Sequence, residues 1–203
     1  MNTRLIGVML LLLAVAACGS APPTPTEYYV LAPSASMEDR VVEHANKPTV
    51  VIENVELAAY LKQPGLIIQS GSNQLTVSRK HLWAESLELA LPKALVRDLQ
   101  QQSDEYSYYL KSLDWVGRAD YRLRLRIDSL QATDRGEVVT SGRYQIIPGT
   151  SPDSSVFVDF DFQRDLQQDG YTHTVEQMQV LLSEIAGAIL GSLDSQELDS
   201  GAN

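Results

Sequence analysis

Strict alternation of charged and apolar side chains is the feature that most constrains the fold of this chain. It occupies the stretch "ADYRLRLRIDSL", residues 119 to 130. Successive side chains of a β-strand point to opposite faces of its sheet, so this stretch predicts a strand with one apolar and one charged face. The apolar face has to pack against a second layer. The residues concerned are Leu123, Leu125 and Ile127 on the apolar face and Arg122, Arg124 and Arg126 on the charged face.

Other segments have the β-branched and aromatic composition of strands. "GSNQ" separates two of them as a hairpin loop, and Asp134-Arg135-Gly136 is a turn signal before another. The predicted strands, besides the alternating one, are residues 28–31, 49–55, 66–70, 75–78, 106–113, 137–147 and 156–164.

Two segments have helical periodicity. The first, about Trp83 to Gln102, carries a leucine every four residues from Leu87 to Leu99, with Asp98 alongside. Pro92 lies inside it and predicts one bent helix or a displaced start. The second segment has capping-box spacing at Thr174 and Gln177. Its predicted apolar stripe comprises Val175, Met178, Leu182, Ile185 and Ile189.

Together these elements predict an α+β domain of two layers, with an antiparallel-rich sheet packed against two amphipathic helices. The domain is predicted to span residues 28–193, and the polar residues 194–203 are expected to form a disordered tail. A hydrophobic content of 44% is ordinary for a globular protein with a real core.

The N-terminus has the pattern of an export signal. One positive charge at Arg4 precedes an unbroken apolar run from Leu5 to Ala17. This run is too short for a transmembrane helix, which needs about 20 apolar residues. Small residues close it, as they do at a signal-peptide cleavage site. Residues 1–17 are therefore predicted to be removed as a signal peptide.

Cys18 follows the small residues directly and is the only cysteine in the chain. A catalytic thiol, a metal ligand, a buried apolar side chain and a lipid acceptor are the four alternatives. The position resembles a bacterial lipobox, in which the cysteine is acylated and becomes the first mature residue, and residues 18–27 would form a flexible tether. Gly19 and Ser20 take the place of the aspartate that retains lipoproteins in the inner membrane. We therefore expect an outer-membrane lipid anchor facing the periplasm.

The chain is acidic, with a formal net charge of −10. Nucleic-acid binding depends on clustered lysine and arginine, so the composition argues against a nucleic-acid partner. It also argues against electrostatic adhesion to anionic lipid head groups.

No catalytic constellation is present in the sequence, which lacks nucleophile-elbow, phosphate-loop and zinc-protease motifs. His44, His81 and His173 lie far apart in the sequence, in a loop, before a helix and in a turn. We therefore interpret them as incidental and not as a three-histidine metal site. Asp159 and Asp161 share one face of a predicted strand and are interpreted as solvated. We expect no enzyme activity, no metal site and no cofactor other than the covalent lipid on Cys18.

Two interpretations of the arginine row remain open. In one, Asp159 and Asp161 of a nearby strand neutralise a solvent-facing stripe. In the other, the stripe docks an acidic partner or another copy of this acidic chain.

A second candidate surface, formed by the segment around Tyr60 and the segment that begins at Trp83, lies where the sequence resembles a known family. The order of a strand, "VELAAYLKQP", a hairpin and "WAESLELALPKALVRDL" resembles the ABC-type transport auxiliary lipoproteins over about residues 28–193. The matching residues are Val55-Glu56-Leu57, Tyr60-Leu61, Pro64 and Trp83-Ala84-Glu85. The chain departs from the family pattern at Ala58-Ala59, Lys62-Gln63 and Pro92, which affects the expected loop geometry.

The resemblance implies a non-catalytic docking subunit of a lipid transport system that contains mammalian-cell-entry (MCE) domain tunnel proteins. It also implies homo-oligomers, including a ring. The candidate docking residues are Tyr60, Leu61, Pro64, Trp83, Arg122, Arg124 and Arg126. The alternatives are a periplasmic carrier that holds a lipid or small molecule between sheet and helices, a structural envelope lipoprotein and, last, an enzyme.

Overall fold

The structure, a computed structural model, describes residues 25–31, 47–111 and 117–200. Cys18, His44 and the predicted signal peptide lie outside the described residues. The described chain forms a mixed eight-stranded sheet and two α-helices, which confirms the predicted α+β class. The strands are β1 (Glu27–Tyr29), β2 (Thr49–Leu57), β3 (Gly65–Ser70), β4 (Gln74–Trp83), β5 (Ser107–Leu110), β6 (Tyr121–Thr133), β7 (Glu137–Pro148) and β8 (Val156–Asp165), and the helices are α1 (Leu87–Gln102) and α2 (Tyr171–Ser200).

Strand β6 is the centre of the sheet. β7 pairs antiparallel along one of its edges, and β8 pairs antiparallel with β7. The other edge of β6 is shared by two parallel strands, β2 near its start and β3 near its end. β5 adds to β2, while β4 and then β1 add to β3. The predicted hairpin of residues 66–70 and 75–78 corresponds to β3 and β4.

The alternation of β6 is confirmed. Leu123, Leu125 and Ile127 are buried, and their neighbours Arg124 and Arg126 are exposed. A sheet with antiparallel strands can leave one face in contact with solvent, so the arginine face needs no covering layer.

Both helices contribute apolar stripes to one continuous core. The four leucines of α1 and the predicted stripe of α2 are all buried, as expected. Tyr144 on β7 joins the layers, because its hydroxyl donates to the Ala188 carbonyl at 2.9 Å and lies 2.8 Å from Ser192 Oγ.

Helix α1 begins later than predicted, at Leu87 instead of Trp83. Trp83 ends β4, where its N–H donates to the Pro64 carbonyl at 2.7 Å and its backbone therefore belongs to the sheet. Pro92 lies inside a single helix that continues to Gln102. The missing N–H of Pro92 costs one hydrogen bond near the start of that helix.

Helix α2 differs from its prediction at both ends. It begins at Tyr171, directly after Gly170, so Thr174 lies in the first turn and its hydroxyl donates to the Gly170 carbonyl at 3.1 Å. The predicted capping box is therefore wrong. The helix also extends through residues 194–200, where a disordered tail was predicted. One contact there is the Tyr106 hydroxyl, which donates to Asp194 Oδ1 at 3.1 Å.

Candidate partner-binding surface

The first candidate surface surrounds the loop between β2 and β3. The Ala58 N–H donates to the Ile127 carbonyl at 2.9 Å, and the Pro64 carbonyl accepts the Trp83 N–H. Between these two bonds the chain makes a short 3-10 turn, Ala59–Lys62. Residues 58–64, which we call the β2–β3 loop, thus leave the sheet and return to it at fixed points.

Two predicted docking residues hold the loop from inside. The Leu61 side chain is 1% exposed and that of Trp83 is 7% exposed, and both belong to the main core. Their burial stabilises the loop at roughly 25 cal/mol per Å² of apolar surface removed from water. Leu61 and Trp83 therefore position the loop and offer little area to a partner.

Tyr60 is half-buried and connects the loop to β6. Its hydroxyl lies 2.7 Å from Gln131 Oε1 and 2.9 Å from the Asp128 carbonyl. Gln131 in turn donates through Nε2 to Gln69 Oε1 at 2.7 Å. Burial raises the pKa of Tyr60, and Asp128 adds to this, while the Gln131 hydrogen bond opposes it. The network fixes the orientation of the Tyr60 ring.

The exposed part of this region extends onto helix α1. Pro64 is exposed, as a docking residue has to be. Lys62 reaches Glu88 in the first turn of α1, with Nζ 2.9 Å from Oε1. Beside Glu88, the Leu89 side chain is 57% exposed. We call Ala59, Lys62, Gln63, Pro64 and Leu89 the loop surface.

Sequence reasoning missed Lys62 and Leu89. A signal for Leu89 was present, because Leu89 is the only leucine of α1 that stands outside the four-residue repeat of buried leucines. For Lys62 the sequence carried no such signal.

The arginine row lies on the face of the sheet opposite the helices. Arg124 Nε donates to Glu53 Oε2 at 2.8 Å, and Arg122 approaches the same carboxylate at 4.0 Å. Lys111 Nζ lies 3.4 Å from Glu53 Oε1. Burial raises the pKa of Glu53, but the hydrogen bonds from Arg124 and Lys111 outweigh it, so the pKa lies below its ordinary value. Three cations surround one carboxylate at this point.

Arg126 takes its counter-charge from its own strand. Its Nε donates to Asp128 Oδ1 at 2.8 Å. The backbone carbonyl of Asp128 accepts the Tyr60 hydroxyl, so Asp128 joins the arginine row to the β2–β3 loop. The structure thus brings the two predicted docking regions together at one point.

Neither of the predicted counter-charges, Asp159 and Asp161, forms an ion pair with the arginine row, although the charge of Arg126 helps to lower the Asp159 pKa. Asp159 pairs with Arg143 on β7, where Arg143 Nη2 donates to Asp159 Oδ2 at 2.9 Å. Asp161 lies opposite Ser141 on β7. Because β7 separates β8 from β6, these aspartates are one strand too far from the row. The neutralising residues are Glu53 and Asp128.

Nothing in the described part of the chain has the geometry of a metal site. Among residues 25–31, 47–111 and 117–200, no three or more histidine, cysteine, aspartate or glutamate side chains come together as ligands. His81 instead stacks on Tyr171, with the ring centroids 3.7 Å apart. His173 lies in α2, where Nδ1 is 3.1 Å from Glu176 Oε2.

In the same described ranges, no helix combines the length and apolar character needed to cross a membrane.

Comparisons with known proteins agree with this architecture. A family model described as "ABC-type transport auxiliary lipoprotein component" matches residues 29–190. The crystal structure of an uncharacterized protein superposes with a TM-score of 0.70 at 19% identity, covering 84% of this chain and 99% of that chain. A crystal structure from Xanthomonas campestris gives a TM-score of 0.63 at 14% identity, covering 76% of this chain and 89% of that chain. At these identities the structures show a shared fold. No curated protein sequence matches this chain.

Proposed function

Since the chain belongs to the ABC-type transport auxiliary lipoproteins, we propose that it is the outer-membrane docking subunit of an MCE-type intermembrane lipid transport system. It would face the periplasm, carry its lipid on Cys18 and perform no catalysis. The observation that carries this proposal is the family match over residues 29–190, which spans nearly the whole described domain.

The lipobox supports the anchor. Cys18 follows Val15-Ala16-Ala17 directly, and neither Gly19 nor Ser20 is an aspartate that would favour the inner membrane. Two or three acyl chains give stable attachment, whereas one gives only marginal attachment. A domain anchored in this way is placed where a tunnel from the inner membrane would end.

The loop surface supports docking. Lys62 and Leu89 present one charge and one apolar side chain on elements that are held rigidly by the core. Rigid presentation lowers the entropy cost of association. We propose that this surface, with Pro64 at its edge and the arginine row beside it, meets the MCE-domain protein or a neighbouring copy in a homo-oligomer such as a ring.

The packing between the layers favours docking over carriage of a lipid inside the domain. Leu95 and Leu99 of α1 and Leu181 of α2 are fully buried, and they belong to the same core as Leu123 and Tyr144 of the sheet. Side chains from both layers therefore meet where a carrier would hold an acyl chain.

The experiment is crosslinking in intact cells, followed by affinity purification of the full-length lipoprotein and identification of its partners by mass spectrometry. We expect capture of an MCE-domain protein, its loss with Cys18→Ala and a decrease with Leu89→Ser. The matched control is Leu75→Ser, which changes an exposed leucine outside the loop surface, on β4. If lipid co-purifies and no MCE-domain protein is captured, the carrier alternative replaces this proposal.

A further inference from the structure

Strand β1 and the residue that follows it present apolar side chains to solvent immediately after the predicted tether. Tyr28 is 66% exposed and Val30 is 59% exposed. The alternate residues Tyr29 and Leu31 point into the domain and contact its core. Among the described strands, β1 pairs only with β4 and so forms an edge. Tyr28 and Val30 therefore share a face that nothing in the described chain covers.

Two cations lie beside the point where the tether leaves the domain. β1 and β4 are parallel, with Glu27 opposite His81 and Tyr28 opposite Leu82. The residue before Glu27 therefore runs alongside Lys80, in a stretch where β4 is irregular because its register with β3 shifts between Val77 and Leu82. Arg79 precedes Lys80.

Within the described residues, these two cations have no counter-charge. Arg79 and Lys80 are exposed, and in the described ranges neither side chain takes part in an ion pair. The nearest carboxylate on β1, that of Glu27, is engaged elsewhere. Its Oε2 accepts the Tyr29 hydroxyl at 2.6 Å and lies 3.4 Å from His81 Nδ1. No carboxylate of the described residues therefore neutralises Arg79 or Lys80, and both side chains are exposed to an approaching anionic group.

The length of the tether limits how far this patch can be from a membrane. Nine residue steps separate Cys18 from Glu27, which span at most about 30 Å when fully extended. A tyrosine has an apolar ring and a polar tip and is enriched at membrane–water interfaces. Lysine and arginine beside such residues interact with lipid phosphates.

We propose that Tyr28, Val30, Arg79 and Lys80 form a membrane-contacting patch that binds phosphate-bearing lipid head groups and orients the anchored domain. This inference rests on the lipid anchor proposed above. Tyr28 and Val30 enter the head-group region, while Arg79 and Lys80 contact phosphates. The acyl chains hold the protein, and the patch fixes which end of the domain faces the bilayer. The acidic remainder then points away from an anionic leaflet.

The test uses the acylated full chain in vesicles of phosphatidylethanolamine and phosphatidylglycerol. A nitroxide is attached through Tyr28→Cys or, in a second variant, Val30→Cys, since an acylated Cys18 has no free thiol to react. The matched control is Phe157→Cys, because Phe157 is 62% exposed on the edge strand β8. Collisions of the label with oxygen and with a water-soluble nickel chelate report its depth.

On vesicles, we expect the labels at 28 and 30 to gain oxygen collisions and lose nickel collisions relative to the Cys18→Ala chain in buffer. The label at 157 should not change. Arg79→Gln with Lys80→Gln should reverse a large part of the shift.

If the acylated, vesicle-bound chain shows equal nickel collisions at 28 and 157, the patch is disproved while the anchor stands. If Cys18 carries no diacylglyceryl mass and the chain does not float with vesicles, the anchor is disproved and this inference with it.

Discussion

Asp98 on α1 offers a quantitative test of the packing. It stands alongside the buried leucine row, it is half-buried, and no hydrogen bond within the described residues reaches its carboxylate. Burial raises the pKa of Asp98 from 3.8 to about 6, and Arg97 opposes this only in part. The charged form is therefore disfavoured in the folded protein.

The sign of the effect follows from linkage. As the pH rises above the unfolded pKa of 3.8, the unfolded chain ionises while folded Asp98 stays protonated up to about 6. Stability is therefore lost between these two values and stays reduced above them. A shift of about 2 units corresponds to at most about 3 kcal/mol, at about 1.4 kcal/mol per unit.

Asp98→Asn removes this penalty. We expect the variant to exceed the wild type by about 1 to 3 kcal/mol in free energy of unfolding at neutral pH. The two proteins should agree at a pH well below 3.8, where the carboxyl is protonated in both the folded and the unfolded state. The assay is urea unfolding of the Cys18→Ala chain without residues 1–17, followed by tryptophan fluorescence, to which the buried Trp83 contributes. The control Asp165→Asn changes an exposed carboxylate and should have no effect. The reasoning would be refuted if the free energies of unfolding of the wild type and Asp98→Asn differed by the same amount at every pH.

Two further substitutions test the sheet. Gly65→Ala should lower the melting temperature far more than Gly71→Ala, because a Cβ on Gly65 would lie 2.1 Å from the Ser78 carbonyl oxygen, whereas Gly71 has open space and only a positive φ of 61°. If both variants lowered the melting temperature equally, the close approach of Gly65 to the Ser78 carbonyl would be contradicted. Glu53→Gln should destabilise the protein at neutral pH by about 1 kcal/mol, a value kept small because its cationic partners are largely exposed. Since the Glu53 pKa is lowered, this difference should vanish as the pH falls through that pKa. A difference that persists in acid, measured by urea unfolding, would mean that the ion pairs are not its cause.

Local patterns predicted most elements of the fold. The alternation in β6 and the leucine repeat of α1 identified their buried faces correctly, because side-chain periodicity is set by the backbone of each element alone. The hairpin between β3 and β4 and the turn at Gly136 were also predictable from local turn residues.

The pairing of strands that are distant along the chain could not be predicted from local sequence patterns. Asp159 was assigned to the arginine row because it lies on a charged strand face. In the structure β7 lies between β6 and β8, so Asp159 is opposite Arg143 instead. β4 continues past residue 78 because it pairs with β1, a contact between residues far apart in the chain. The start of α2 was misplaced because Thr174 has N-cap spacing, while Gly170, with a φ of 116°, makes the actual entry. At the candidate site, Lys62 acquires a role only through Glu88 on another element.

The shared edge of β6 has a consequence for divergence among relatives. β2 and β3 each take their register directly from β6, so neither depends on the loop between them. The hydrogen bonds of Ala58 and Pro64 close that loop at its base. Insertions or substitutions between these two residues that retain the buried Leu61 should leave the sheet in register, since surface loops tolerate length changes at small cost. The departures of this chain at Ala58-Ala59 and Lys62-Gln63 fall in this segment. The docking surface proposed above can therefore differ from one relative to another while the sheet remains the same.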